Sequence, residues 1–230
     1  MSSNSLSTLG MMFYDPAQAF ARIKEKPPIL LPLLAVLLPS MAVMAWWIAT
    51  VDFTWLREHM LAANASMSPE ARAGIEKMVA PTPLFLTTMI GMLVGTLVTY
   101  AITAVYYLLA GKVIDSQRSF RQWFAFACWT SLPRLLVVPL IALQIVTSHG
   151  QVAAEGLNMA SLSALTGMAS TSRWYGIASS IDPSVVWATV LTVIGLKVWT
   201  GRSTAACVTV ALLPAIVIYG VWTLKIVAFG

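Results

Sequence analysis

Arg134 is the residue whose type and position offer the most chemistry. It is the one charged residue between 122 and 147, a stretch otherwise apolar enough to cross a membrane. It follows Trp123 by roughly 16 Å of helix, which predicts a position near the middle of the bilayer. A charge at that depth costs from about 3 to more than 10 kcal/mol. The guanidinium is therefore expected to bind freed carbonyls, a lipid phosphate or water in a cavity.

The sequence WTSLPR around this arginine predicts a break in the helix. Pro133 has no N–H to give to the carbonyl of Trp129, and its ring pushes that carbonyl aside. The hydroxyls of Thr130 and Ser131 can help to satisfy it. Two interpretations stay open. Either Arg134 only pins the kink, or these residues together form an intramembrane polar site.

The other reactive residue types lack the spacing of a metal or catalytic centre. His59 and His149 are far apart, and Cys128 and Cys207 stand alone in apolar stretches without a C-x-x-C or H-E-x-x-H pattern. Glycine-rich phosphate loops and a G-x-S-x-G serine motif are also missing. The sequence predicts no catalytic residue, no metal and no cofactor, and hence a protein that is not an enzyme.

The composition indicates that membrane helices position Arg134. Of the 230 residues, 58% are apolar and 10% are charged, and the mean hydropathy is +0.79. Soluble domains have roughly 45–50% apolar and about 25% charged residues. So few charges cannot cover a soluble surface. The composition also excludes a disordered chain and a disulfide scaffold.

Long stretches of low charge predict five transmembrane helices, because a crossing helix needs about 20 apolar residues. The predicted fold class is all-α, a polytopic integral membrane protein with one membrane domain over 28–227. The spans are predicted at about 28–50, 83–110, 122–147, 183–199 and 203–225, with longer loops at 52–82 and 148–182.

The two longer loops have different character. In the loop 52–82, Ser68, Pro69 and Glu70 form a good helix start, and two short helices are predicted near 53–63 and 69–79. The loop 148–182 is rich in small residues. It either lies on the membrane, dips into it, or is a flexible connection.

Residues 1–27 are predicted to contain an amphipathic helix that lies in the membrane interface. Asp15 is a good N-cap, and Pro16 is tolerated at the first helical position. The predicted apolar face is Ala17, Phe20 and Ile23.

Lysines and arginines in the short segments predict a cytoplasmic N-terminus and an outside C-terminus in the cytoplasmic (inner) membrane. Trp123 and Trp199 are predicted at the inner interface, where indole rings favour the headgroups. The net charge of +5 is then explained by bases that concentrate in the cytoplasmic segments and attract anionic lipid. It does not indicate a nucleic-acid partner. The bases expected to contact lipid are Arg22, Lys24, Lys26, Lys112, Arg118 and Arg121, with Lys197 and Arg202 on the same side.

Gly91 and Gly95 have the small-x-x-x-small spacing that lets another backbone approach a membrane helix. This spacing predicts a helix-packing site, either within the chain or as a seam between two copies.

Four stretches in order resemble the Yip domain family, the Ypt-interacting proteins. They are FYDPAQAFARIKEKP before the first span, GKVIDSQRSFRQWF between the second and third, SLPRLL within the third, and GLKVWTGRSTAACVTVALLP across the last hairpin. The resemblance implies an all-helical, five-span protein with no catalytic residue. Eukaryotic relatives act in vesicle traffic and bind Rab-type GTPases through a cytosolic N-terminal region. Here that region is only residues 1–27, which resembles short bacterial members and argues against GTPase binding.

The sequence therefore favours a non-enzymatic membrane protein that organises lipid or protein partners. The partners would be anionic lipids and, beyond them, other membrane proteins or a second copy of the chain. The alternative is a small transporter or channel that uses the kinked third span around Arg134. Its polar path would use Thr87, Thr88, Thr96, Thr99, Thr103, Ser131, Arg134 and Gln144.

Overall fold

Runs of apolar residues become helices in a bilayer because a helix satisfies its own backbone polar groups there. The computed structural model describes residues 3–62, 67–113 and 116–229. These residues form α-helices and two short 3-10 helices, with no strand. The α-helices are α1 (Ser3–Tyr14), α2 (Pro16–Ile23), α3 (Leu30–Thr50), α4 (Phe53–Ala62), α5 (Pro69–Met78), α6 (Pro81–Val113), α7 (Phe120–Thr130), α8 (Val138–Thr147), α9 (Leu162–Leu165), α10 (Tyr175–Ser179), α11 (Pro183–Thr200) and α12 (Thr204–Phe229).

Five segments of the described chain are long and apolar enough to cross a membrane. The prediction of an all-α polytopic membrane protein with five spans is thereby confirmed. The spans are α3, α6, the third span Phe120–Thr147, which contains α7 and α8, then α11 and α12.

One short sequence pattern opens three of the helices. Asp15 before α2, Ser68 before α5 and Asp182 before α11 each accept a hydrogen bond from an N–H of the first turn, and each is followed by proline. The capping oxygen satisfies an N–H that the helix leaves unpaired, and proline has no N–H to leave unpaired. The two helices expected in the loop 52–82 are α4 and α5.

The helix α1 is not among the sequence predictions. Its sequence, SNSLSTLGMMFY, contains three serines, an asparagine, a threonine and a glycine, which have weak helix preference. Met11 and Met12 are nevertheless buried in the hydrophobic core. Tertiary packing therefore stabilises this helix, as it does for most protein helices.

The chain divides into two compact units. Unit 1 contains Met1–Val36, Thr96–Leu135 and Ile181–Gly230, and unit 2 contains Leu37–Gly95 and Leu136–Ser180. The membrane domain predicted over 28–227 extends across both.

Unit 2 holds its loops together through the backbone. The indole of Trp47 donates to the Val152 carbonyl at 3.0 Å, and the Asp52 N–H donates to the Gly150 carbonyl at 2.9 Å. Gly150 has a φ of +83°, and a Cβ there would lie 2.8 Å from the Thr50 carbonyl oxygen. Only glycine fits this turn without strain. Leu157 is buried here, so the first part of the loop 148–182 packs on the core of unit 2.

Candidate functional site

The break predicted in the third span lies where Pro133 disrupts the helix. The helix α7 ends at Thr130, a 3-10 helix follows at Leu132–Leu136, and α8 begins at Val138. A proline cannot donate to the preceding turn, and a tighter helical segment accommodates it.

The polar residues before the break bond to other groups of the protein. The Thr130 hydroxyl donates to the carbonyls of Phe126 and Ala127 at 3.1 and 3.2 Å. These are not the Trp129 carbonyl that the sequence analysis assigned to it, because a threonine hydroxyl reaches three or four positions back.

Ser131 links the break to α6. Its hydroxyl donates to the Cys128 carbonyl at 2.9 Å and accepts from the Tyr100 hydroxyl at 2.6 Å. Both Ser131 and Pro133 are buried, whereas Arg134 is exposed. Of the four residues predicted as a polar site, Arg134 is thus the one whose side chain is open to a ligand.

Arg134 lines a cavity of about 690 Å³ inside unit 1. The lining residues of α6 and of α11 recur at spacings of three, four and eight positions. Residues at these spacings share one face of a helix, so each helix contributes one face to the wall. The third wall is α12 around Pro214. The wall residues used below are Thr99, Ile102, Thr103, Tyr106, Ser184, Val185, Ala188, Thr189, Thr192 and Ile218.

A partly buried hydrogen bond fixes the α12 wall. Pro214 lies inside α12, so the carbonyl of Val210, four positions back, receives no backbone N–H from it. The Tyr106 hydroxyl donates to this carbonyl at 2.6 Å. The turn of α12 that precedes Pro214 is therefore tied to α6.

The cavity walls leave Arg134 without a partner. Thr103, Thr189 and Thr192 donate their hydroxyls to carbonyls of their own helices at 2.8–2.9 Å. No acidic residue of the described chain lines the cavity. Within residues 3–62, 67–113 and 116–229, no hydrogen bond or ion pair reaches the Arg134 side chain.

The second candidate region is the basic end of unit 1, where α2, residues 116–122 and the turn 197–204 meet. Arg118 joins these three segments. Its Nη1 donates to the Lys24 carbonyl at 2.7 Å, and its Nε and Nη2 donate to the Trp199 carbonyl at 3.3 and 3.1 Å. The guanidinium also lies 4.6 Å from the centre of the Trp199 ring. A cation at the C-terminus of α11 also suits the helix dipole.

Burial lowers the pKa of the Arg118 guanidinium, and nearby Glu25 raises it. Arginine is effectively always protonated in proteins, so the group stays charged at neutral pH. Its donors are directed at carbonyls of the protein. The other bases of this region, Arg22, Lys26, Lys112, Arg121 and Lys197, are exposed.

The model of the Yip1 domain matches residues 9–224, nearly the whole chain. The chain belongs to the Yip1 domain family. The resemblance seen in the sequence is thereby confirmed. No curated protein and no solved structure matches the chain.

In this family member, the end of α2 takes its hydrogen-bond donors from distant side chains. The last carbonyls of a helix have no intrahelical donor, and Pro27 and Pro28 supply no N–H. The Phe20 carbonyl accepts from the Trp199 indole at 3.1 Å, and the Pro28 carbonyl accepts from the Trp129 indole at 2.9 Å. Of the three carbonyls, that of Lys24, which accepts from Arg118, lies four positions before Pro28 and so lacks a backbone donor there; the Phe20 carbonyl takes the Trp199 indole because the Lys24 N–H bonds Ala21 instead.

The apolar face of α2 packs on the protein. Phe20 has no exposed surface and lies 5.5 Å from Phe126 and 6.4 Å from Trp199, measured between ring centres. Ala19 is buried and Ala17 is exposed. The predicted face is therefore wrong at Ala17, because the core of unit 1 selects a slightly rotated stripe of the helix.

The placement of two tryptophans at the lipid interface is also wrong. Trp123 is 1% exposed and Trp199 is 3% exposed. Both belong to a ring cluster with Phe20, Tyr107 and Phe126. Tryptophan favours interfaces because one edge is polar, and here carbonyls of the protein replace headgroups for Trp199. The Trp123 indole N–H has no partner in the described part of the chain.

The glycine with the closest neighbours is Gly195. A Cβ there would lie 2.5 Å from Phe126 Cε2 and 2.9 Å from Phe20 Cε1. At Gly91 or Gly95, a Cβ would meet no described atom within 4 Å. The contact within the chain that their spacing predicts is therefore absent from the described residues, because both lie on an exposed face of α6. No sequence signal separates Gly195 from other span glycines.

Proposed function

We propose that this multi-pass membrane protein of the Yip1 domain family is a non-enzymatic organiser of anionic lipid, and through it of partner proteins, at the basic end of unit 1. The observation that supports it most is the convergence of three basic segments on one surface, held by Arg118. Each base near a membrane surface attracts anionic lipid by about 1 kcal/mol.

Several features make this surface suited to headgroups. The α2 helix is fixed through Phe20 and the Trp199 indole, so Arg22 and Lys26 are held at the surface without further ordering. Lys112 and Arg121 are exposed on the neighbouring segments. Within the described parts of these segments, the acids are Asp15, which caps α2, and Glu25. The balance of charge is therefore positive.

The proposal includes an orientation. Basic segments stay in the cytoplasm, so the basic end would face it, with the N-terminus inside and the C-terminus outside the cytoplasmic membrane. Single cysteines at Gln117 and Glu76, both exposed, can be labelled with an impermeant maleimide in sealed cells. Gln117→Cys should react only after lysis and Glu76→Cys before it. The reverse pattern would overturn the orientation. The unchanged chain, whose Cys128 and Cys207 are buried, gives the background.

The lipid proposal is tested by retention of lipid on the full chain. Protein purified in micelles with equal phosphatidylglycerol and phosphatidylcholine is analysed for bound lipid by mass spectrometry. A variant with Arg22, Lys26, Lys112 and Arg121 all changed to Gln should lose at least tenfold of its preference for the anionic lipid. The wild-type preference should fall with salt, because exposed charges are screened.

The matched control changes four bases of unit 2 to Gln, namely Arg57, Arg72, Lys77 and Arg173. This variant should keep the preference. An equal loss in both variants would mean that net charge alone attracts the lipid, and the proposal would then fail.

A small transporter is the second candidate function, and the cavity at Arg134 is the observation that favours it. Of the polar residues predicted to form a path, Thr99, Thr103 and Arg134 line this cavity. Proteoliposomes loaded with chloride or phosphate test it directly. Anion flux that depends on Arg134 would favour the transporter over the organiser.

A further inference from the structure

The cavity of unit 1 contains a charge that the protein does not balance. Among the residues that the structure describes, Arg134 is the one charged residue in the lining, and none of them gives its side chain a hydrogen bond or an ion pair. Three of the wall threonines, Thr103, Thr189 and Thr192, donate their hydroxyls to carbonyls of their own helices. A guanidinium among apolar spans is stabilised by an anion that meets its planar fork of donors. The complementary ligand is therefore anionic.

The cation lies towards the end of the cavity that is farther from the basic end. The Tyr100 hydroxyl bonds Ser131, and the chain then continues away from the basic end to Arg134. Ser184, in the first turn of α11, also lines the cavity, and α11 ends at the basic end. Asp182 is at this same end, and its carboxylate accepts the N–H groups of Ser184 and Val185.

The rest of the cavity suits a hydrocarbon chain. Its walls continue towards the basic end through Ala188 and Thr192, and they are mostly apolar. Ile102 and Ile218 line it and are 65% and 60% exposed. The groove is therefore open to the surrounding hydrocarbon, from which a lipid can enter sideways. Its volume of about 690 Å³ lies in the range of small-molecule sites, roughly 300–1,000 Å³.

We infer that this cavity binds one acidic phospholipid. The phosphate lies on the Arg134 guanidinium, and an acyl chain extends between α6, α11 and α12 towards Thr192. None of the exposed bases of the basic end lines the cavity. The inference therefore goes beyond the proposed function, and either can fail without the other. The inference also gives the break at Pro133 a role, because Arg134 next to it is exposed in the groove.

The test measures tightly bound phosphatidylglycerol on the full chain after washing in high salt, by native mass spectrometry. High salt removes lipid held by exposed bases but screens a cavity site much less. Arg134→Gln should lower retention about tenfold or more, since a charge-assisted contact contributes about 1.5–3 kcal/mol. Arg134→Lys should keep part of it. Ala188→Trp fills the groove while leaving Arg134 in place, and it should lower retention as strongly.

The matched control is Arg121→Gln, an exposed base of the basic end, which should not change the salt-resistant retention. Size exclusion and thermal unfolding establish that each variant is folded, and Ala188→Trp keeps the test decisive if Arg134→Gln does not fold. Wild-type retention by both folded cavity variants would overturn the inference, as water then balances the charge. Retention of added oleate in place of phosphatidylglycerol would also overturn it, in favour of a fatty acid site.

Discussion

The basic end of unit 1 and the cavity of unit 1 both contain backbone carbonyls without a backbone donor, but the first region is closely packed and the second is open. In both, carbonyls that receive no N–H from the backbone accept hydrogen bonds from distant side chains instead. At the basic end, Trp129, Trp199 and Arg118 supply the donors, and aromatic rings fill the space around them. At the cavity, Tyr106 satisfies the Val210 carbonyl, yet the space beside it stays open and no described side chain pairs with Arg134. A closely packed region therefore requires aromatic rings that fill the space, in addition to side chains that donate hydrogen bonds to the carbonyls.

The largest expected effect comes from breaking the closed region at Phe20. Phe20→Ala removes a fully buried ring between Phe126 and Trp199. It should lower the free energy of unfolding by about 3–5 kcal/mol, measured by denaturant titration in detergent. Phe229→Ala, at an exposed ring, is the control and should change it little. Equal effects would show that the basic end is not tightly packed.

Gly195→Ala tests the same packing by adding a single methyl group. The new Cβ would clash with the rings of Phe126 and Phe20, and overpacking costs about 1–3 kcal/mol. Gly91→Ala and Gly95→Ala are matched controls, since a Cβ there meets no described atom within 4 Å. Thermal unfolding in detergent should separate them. A stable Gly195→Ala protein would contradict the close approach of α11 to the rings.

Arg118→Lys tests the hydrogen bonds of the closed region. Lysine keeps the charge but lacks the fork that reaches both Lys24 and Trp199 carbonyls. The loss should be about 1–3 kcal/mol of unfolding free energy. Arg121→Lys, at an exposed base, should leave stability unchanged. If Arg118→Lys is also neutral, charge alone holds the three segments.

The smallest effect is expected at the wall of the open region. Tyr106→Phe leaves the Val210 carbonyl without its donor and should cost about 0.6 kcal/mol, a typical value for hydrogen bonds between membrane helices. Tyr14→Phe, at an exposed ring, is the control. A cost as large as that of Phe20→Ala would mean that the cavity wall is as tightly packed as the basic end.

Local features of this fold could be predicted from sequence because neighbouring residues determine them. The five spans follow from apolar length, and the break follows from Pro133. The starts of α2 and α5 follow from Asp15 and Ser68 with the prolines after them.

Features set by tertiary packing could not be predicted in the same way. Trp123 and Trp199 are residues of the type that favours the membrane interface, but both are buried because unit 1 packs aromatic rings around them and brings the Phe20 carbonyl to Trp199. Gly195 looks like any other span glycine until Phe20 lies against it. The candidate site was predicted at Arg134, but the walls of its cavity come from three separate spans. Only their packing reveals which faces meet.

The indole of Trp199 bonds a carbonyl 179 positions earlier in the chain. During synthesis, α2 therefore emerges long before Trp199, its last hydrogen-bond donor, has been made. Until the fourth span has been made, the Phe20 carbonyl lacks its indole donor and the Phe20 ring lacks its contact with Trp199. The docking of α2 is accordingly completed only after that span has been made. A nascent chain halted before residue 199 would expose Phe20 to whatever chaperone or lipid surrounds the translocation machinery.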